Sequence, residues 1–387
     1  MLLLNPAAHA QAPAQPTTGF QDGFFIQSAD GEHRLVFGLL TQVDGRFAVD
    51  DPLPITNTFT VRKLRPTLTG RVGRYFDFKL MPDFGGGQAV MTDAYVDVRF
   101  SRAFRLRTGK DKVPVGYEWL VGDAFLLFPE RSLASSLVPL RDIGIQAQGD
   151  LAGGRVSYAG GVFNGLPDGA NSATELDTNN SKDLAGRVVW RPAAGLGVQV
   201  GGSIGEQRGA VPSFRTSVSQ TWFSYAAGTA ASGSRRRVAP AVFYYRGPFG
   251  SFAEYVQSTQ ELALNGAALE ATNRAWNVTA SYVLTGEAGA DRGVRPRAEF
   301  DPAEGRWGAL QLVARYSALS VDDDVAARGF AAPGASGEAR QWTLGLNWYP
   351  NPWIKWYGTF ERTTFDEGAA SQRPAEDVIL FRFQLAF

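Results

Sequence analysis

The final stretch, Asp377 to Phe387, reads DVILFRFQLAF and is compatible with very few folds. Ile379, Phe381, Phe383, Leu385 and Phe387 fall on one face at a period of two, and Val378, Leu380, Arg382 and Gln384 fall on the other. A period of two is that of a β-strand. A face of large apolar side chains ending in an aromatic, backed by a face carrying Arg382 and Gln384, suits a strand with hydrocarbon on one side and water on the other. After the N-terminus no apolar run reaches the roughly 18 residues of a spanning helix. A closed barrel then remains as the structure that satisfies every backbone group in lipid.

The composition agrees with this once the barrel is assumed. Hydrophobic residues make up 44% of the chain, an ordinary value. In a barrel half of each strand faces water, so mean hydropathy conceals the spanning segments. A single barrel can also use all 387 residues, a length that a soluble chain would divide between domains. There is no cysteine, which excludes disulfides and thiolate chemistry. Lys and Arg total 38 and Asp and Glu total 38, so any electrostatic function lies in where the charges are placed.

Alternation between turn signals predicts sixteen strands near 35–47, 61–71, 75–84, 93–100, 104–110, 142–150, 154–163, 184–191, 196–205, 237–246, 250–258, 274–284, 308–317, 341–349, 353–362 and 377–387. The connections 72–74, 101–103, 152–153, 192–195, 247–249 and 350–352 are short and fall on one side. They are the periplasmic turns if both termini are periplasmic. A further candidate strand, Ser213–Ser224, breaks this parity and belongs in an outside loop. The connection 285–307 falls on the periplasmic side but is too long for the scheme. Trp348, Trp353 and Trp356 around Pro350–Pro352 suit an interfacial aromatic belt. Residues 1–10 read as a signal-peptide remnant, with Ala8-His9-Ala10 as the cleavage site, although a basic n-region is missing. Residues 11–34 read as a linker and periplasmic segment, and 35–387 as the barrel.

The early connection 111–141 holds Tyr117, Trp119, Phe125, Leu126, Leu127 and Phe128. Burial stabilises such side chains by about 1.5–3 kcal/mol each, so the segment is expected to fold into the barrel. A short helix packed on the outer rim is the alternative.

Several ordered blocks resemble the phosphate-selective porin O/P family. They are VRKLRPTLTGRVGRYFDFKLMPDF, TDAYVDVRF, LRTGKDKVPVGYE, FPERSL, LVPLRDIGIQ, YAGGVFNG, the NWYPNP turn and the terminal strand. The resemblance implies a sixteen-stranded outer-membrane barrel, usually a homotrimer, with a constricting third loop and a basic pore lining. It does not make every member phosphate-specific.

With the apolar face of each strand toward lipid, the inward basic residues are Lys63, Arg65, Arg71, Lys79, Arg99, Arg105, Arg107, Arg155, Arg187, Arg191, Arg315, Lys355 and Arg382. They outnumber the inward acids Asp77, Asp83, Asp93, Asp97, Asp111 and Glu361, so the balancing acids are expected in loops. A basic lumen between low-dielectric walls concentrates anions, and the planar fork of Arg suits phosphate oxygens. The opposing possibility is that Arg–Asp pairs brace the wall and cancel. Lys110, Lys112, Arg131 and Arg141 lie in or beside the folded-in segment and are the candidate constriction residues. Arg235, Arg236 and Arg237 precede a strand and are expected at the outer mouth. Asp322–Asp324 lacks the glycine and distal glutamate of a calcium loop.

The only histidines are His9 and His33, too few for a His-rich zinc site and unpromising for a catalytic triad. Gly85–Gly87 lacks the lysine of a phosphate loop. No enzyme, cofactor, metal or nucleic-acid partner is expected. Three readings follow: a passive outer-membrane channel for phosphate or related anions, a weakly selective porin for small solutes, and a secreted β-rich binding protein.

Overall fold

The computed structural model describes residues 15–49, 55–166, 177, 179–366 and 373–387. The leader assigned to residues 1–10 lies outside them. In chain order the strands are β1 (Thr17–Phe20), β2 (Phe24–Gln27), β3 (Arg34–Ala48), β4 (Thr58–Val72), β5 (Phe76–Asp83), β6 (Val90–Arg99), β7 (Arg105–Lys112), β8 (Arg141–Leu151), β9 (Val156–Phe163) and β10 (Asp183–Ala193). They continue as β11 (Leu196–Ala210), β12 (Phe214–Arg215), β13 (Thr221–Phe223), β14 (Ala230–Arg246), β15 (Phe249–Leu264), β16 (Ala267–Val283), β17 (Ala309–Ser320), β18 (Glu338–Tyr349), β19 (Ile354–Phe365) and β20 (Glu376–Ala386). All of these except β1, β2, β12 and β13 form a closed antiparallel barrel of sixteen strands, in which β11 pairs with β14 and β20 returns to β3.

The closing seam runs from Val378↔Ala48 to Ala386↔Leu40. It ends where Leu39 N–H donates to the Phe387 carbonyl at 2.9 Å and Phe387 N–H donates back at 3.0 Å. Past that point β2 takes over the edge of β3, from Phe37↔Phe24 to Arg34↔Gln27. An open edge would leave backbone groups unpaired at the membrane surface. This hairpin falls in the stretch read from sequence as linker and periplasmic segment. Phe20 and Phe24 of the hairpin pack on Phe387 with ring centroids 5.9 and 5.7 Å apart, and Phe20 packs on Trp353 at 5.4 Å.

Burial alternates along the strands as the pattern demands. On β18 Trp342, Leu344 and Leu346 are exposed on the outer face, while Gln341, Thr343 and Asn347 are buried on the inner face. The outer ends extend beyond the sequence estimate. β15 and β16 continue to a two-residue turn, Asn265-Gly266, both with positive φ (49° and 85°). An Asn-Gly pair is the standard signal for such a hairpin, and here it lies where alternation predicts a longer loop. β12 and β13 pair only with each other, so the 213–224 candidate lies outside the barrel wall.

The long 285–307 connection has a structural account. Gly289 N–H donates to Gly247 O at 2.8 Å and Phe300 N–H to Pro350 O at 2.7 Å, which ties it to two neighbouring short turns. Val294 is buried with Val283, Ala309 and Tyr349, and Arg295 pairs with Asp22 at 2.7 Å.

Leu344 lies on the outer face and is 57% exposed. Leu344→Arg would set a cation against hydrocarbon, at an expected cost of about 2–4 kcal/mol. Equilibrium folding into lipid bilayers measures this. A cost near zero would show that this face does not meet lipid.

Candidate functional site

Residues 113–140, between β7 and β8, are almost devoid of regular structure, so their backbone groups need other partners. Inner-face side chains of distant strands supply them. Gln42 of β3 donates to Asp123 O at 3.3 Å, Gln384 of β20 to Ala124 O at 2.9 Å, and Lys355 of β19 to Leu126 O at 2.7 Å. Asn347 of β18 donates to Leu127 O at 2.9 Å, Arg382 of β20 to Pro129 O, and Arg315 of β17 to Glu130 O at 2.9 Å. In the other direction Tyr117 and Glu118 donate their N–H groups to the Glu254 carboxylate of β15.

The charges of the segment are matched in the same way. Asp123 is bound by Lys63 at 2.8 Å, by Arg65, and by Arg131 at 2.6 Å. Glu130 is bound by Arg62 at 2.8 Å, Arg46 at 2.9 Å and Arg382 at 3.5 Å. Glu118 meets Arg315 at 3.3 Å. Burial by itself raises the Asp123 carboxyl, but Lys63, Arg131, Lys112 and Arg65 overturn this and hold it well below the ordinary carboxylate range. Burial likewise raises Glu130, and Arg62, with help from Arg382 and Arg46, brings it well below that range.

Two cavities flank the segment. One, about 890 Å³, is lined by Arg46, Arg62, Glu130, Arg131 and residues 212–220. The other, about 740 Å³, reaches from Lys112, Asp123 and Phe125 to Asp22, Arg292 and Trp353 at the short-turn end. Its four carboxylates are all paired: Asp22 with Arg295, Asp93 with Lys79 and Arg141, Asp111 with Arg107, and Asp123 as above. Four of its cations, Lys112, Arg187, Arg292 and Lys355, have no carboxylate in salt-bridge range among the described residues. Lys112 donates to Trp119 O (2.6 Å) and Val121 O (3.0 Å), and Arg187 to Gln199 (3.4 Å).

Residues 41–387 match the model of a family described as phosphate-selective porin O and P. The chain belongs to this porin family. Among curated proteins none matches in sequence. Solved structures with the same fold include the anion-selective porin from Comamonas acidovorans, 13% identical, with a TM-score of 0.59 over 92% of this chain and 100% of that one. The outer membrane channel DcaP of Acinetobacter baumannii is 12% identical, with a TM-score of 0.59 over 94% of this chain and 99% of that one. A trimer form of OmpT from Vibrio cholerae is 12% identical, with a TM-score of 0.54 over 92% of this chain and 99% of that one. The protein is thus a porin of the bacterial outer membrane.

In this porin the residues picked from alternation take several roles. Arg65 binds Asp83 at 2.7 Å, Arg71 binds Asp77 at 3.0 Å, Arg99 binds Asp77 at 3.4 Å, and Arg107 binds Asp97 at 2.7 Å. Arg105 lies beside Arg99 in register, Arg191 donates to Ser157 at 2.8 Å, and Arg155 is exposed at a short turn. Arg141 binds Asp93 at 2.7 Å and braces the start of β8. Arg131 holds the segment to itself through the carbonyls of Glu118, Trp119 and Val121. Lys112, Arg131 and Arg141 surround the Trp119 ring, 4.9, 4.8 and 5.6 Å from its centroid.

Two expectations are corrected. Lys110 is buried beside Ala94 and Ile143 in register and lines neither cavity. Arg235, Arg236 and Arg237 are not a run in a mouth loop, because β14 begins at Ala230 and the strand separates them. Arg235 and Arg237 are buried on one face, and Arg236 is exposed on the other, 2.7 Å from Glu270. Alternation missed Arg62, which a bulge opposite Gln42 and Val43 turns to the inner side beside Lys63. It also missed Arg46 and the acids Glu118, Asp123 and Glu130. Those acids balance the wall cations from within a connection between strands, in keeping with the expectation that the balancing acids lie in loops. Asp322 caps a short helix, α1 (Asp323–Ala327).

A lowered carboxyl contributes stability that is complete above its unfolded value, near pH 4, and is lost as pH falls toward the folded value. The melting temperature is therefore expected to fall on acidification from about pH 6 to about pH 3. Asp123→Asn, which strands buried cations, should cost about 3–5 kcal/mol at neutral pH and flatten the acid decline. A melting temperature insensitive to both changes would contradict the role given to this cluster.

Proposed function

We propose that this porin is a passive channel that favours small anions, phosphate and related oxyanions among them, with residues 113–140 lying across the lumen as its narrow zone. The observation that carries the reading is the charge balance of the 740 Å³ cavity: each of the four Asp side chains lining it is paired, while Lys112, Arg187, Arg292 and Lys355 have no carboxylate partner among the described residues. Cations surplus to pairing, set between low-dielectric walls, raise the local anion concentration. Their attraction is shared between separate weak positions, which lets an ion leave as readily as it enters. The bridging of β3, β15 and β17–β20 by the segment supports its placement across the lumen.

The family description and the anion-selective neighbour point the same way. The trimeric neighbour and the family resemblance support a homotrimer in outer-membrane lipid. The extensive pairing of Arg65, Arg107 and Arg141 favours a second reading, a general porin with weak selectivity, because paired charges contribute little net field.

Purified protein in a planar bilayer under a KCl gradient is expected to reverse on the anion side, and added phosphate to reduce the chloride current. Arg187→Gln should move the reversal toward the cation side. Reversal near zero or on the cation side in the unaltered protein would reject the anion preference and leave the general porin.

A further inference from the structure

The cavity on the short-turn side is bordered by two segments. Residues 120–125 border it above, and Arg292–Arg295 of the 285–307 connection border it below. The two approach each other closely: a Cβ added at Gly293 would lie 3.4 Å from the Phe125 ring. The lower segment is held in place by Val294, buried with Val283, Ala309 and Tyr349, and by the Arg295–Asp22 pair. The connection that is too long for a simple turn therefore narrows the cavity from the short-turn side.

The chamber is unlike a site for a bare inorganic ion. Its volume of about 740 Å³ falls in the range of pockets that enclose small organic molecules. Its lining is divided. Arg107 and Arg187 stand on the β7–β10 side, while Leu40 of β3, Trp353 and Ile354 stand across from them, with Lys355 of β19 as a cation beside Ile354. Phe125 reaches into it with 41% of its surface uncovered, an apolar ring left in contact with solvent. Arg292 lines the floor, exposed, with no hydrogen-bond or ion-pair partner among the described residues.

We infer that this chamber is a binding site for organic anions, carboxylates carrying an aromatic or hydrocarbon body, in which Phe125 with Leu40, Trp353 and Ile354 receives the body and Arg292 receives the charge from the periplasmic side. The inference rests on the anion-channel reading and specifies the solute that the channel holds longest. An ion of phosphate size touches one wall at a time. A carboxylate with a ring attached spans both and gains from each.

Benzoate and acetate share a charged group and differ in the ring, which makes them the discriminating probes. In the planar-bilayer measurement, benzoate is expected to block chloride current at a concentration roughly tenfold or more below that of acetate, from the burial of the ring. Phe125→Ala should remove most of that advantage and leave acetate block as it was. Arg292→Gln should weaken benzoate block by about threefold, the scale of one exposed charge contact, most when benzoate enters from the periplasmic side. Equal block by benzoate and acetate, or a benzoate block unmoved by Phe125→Ala, would overturn the inference. A benzoate block unmoved by Arg292→Gln would overturn the role of Arg292. Anion-side reversal with equal block rejects the organic-anion site alone, whereas cation-side reversal with selective benzoate block rejects the general anion preference alone.

Discussion

Hydrocarbon offers no partner to a backbone N–H or C=O, and the rest of this structure follows from that constraint. The strands must close, and β20 meets β3 to do so. The seam is uneven: β20 pairs with β3 only as far as Leu40, and β2 of the β1–β2 hairpin pairs with β3 from Phe37 to Arg34. The Phe20, Phe24, Trp353 and Phe387 rings gather there, covering the point where one strand hands its edge to another. Closure also dictates the amino-acid pattern. Each strand carries one face for lipid and one for the interior, and the interior face is polar.

That polar interior creates a second requirement. A buried cation without a partner is costly, and so is a carbonyl without a donor. The 113–140 segment meets both on one side of the barrel. Its carbonyls take donors from β3 and β17–β20, and its carboxylates take the cations of β3, β4, β17 and β20. Each contact alone is modest. Together they specify one placement for a segment whose only regular structure is two short 3-10 helices. The cations left over are those the segment does not reach with a carboxylate, such as Arg187 on β10. The field of the cavity is thus set by subtraction, through which wall charges the segment neutralises.

The fold was legible because alternation is a property of single strands. All sixteen barrel strands lie where turn signals bracket period-two segments, and the short turns fall on one side. Their outer ends were less legible, since beyond the bilayer both faces are polar and alternation fades, as on β14 above Arg237. Asn265-Gly266 was a readable signal that period counting passed over. Charge placement was legible only in part. Lys63, Arg65, Arg315, Lys355 and Arg382 do face inward, but one bulge at Arg62 escapes a strict period of two. The acids that answer these cations sit in an aperiodic segment, where sequence spacing carries no directional information.

A count of inward cations is therefore a poor guide to selectivity in a barrel of this kind. Arg107 is shared between Asp97 and Asp111, and Arg65 between Asp83 and Asp123, so each presents little net charge to a passing ion. Lys355 is inward and lacks a carboxylate, yet its ammonium is engaged by Leu126 O and by the Tyr357 ring 4.0 Å away. Arg292, absent from any list built on strand alternation, belongs to a connection on the short-turn side and lines the same cavity with no ion-pair partner among the described residues. A long connection on the short-turn side thus places a cation at the cavity that strand periodicity cannot anticipate. Selectivity in such a channel depends on the pairing state of each cation at least as much as on the number that point inward.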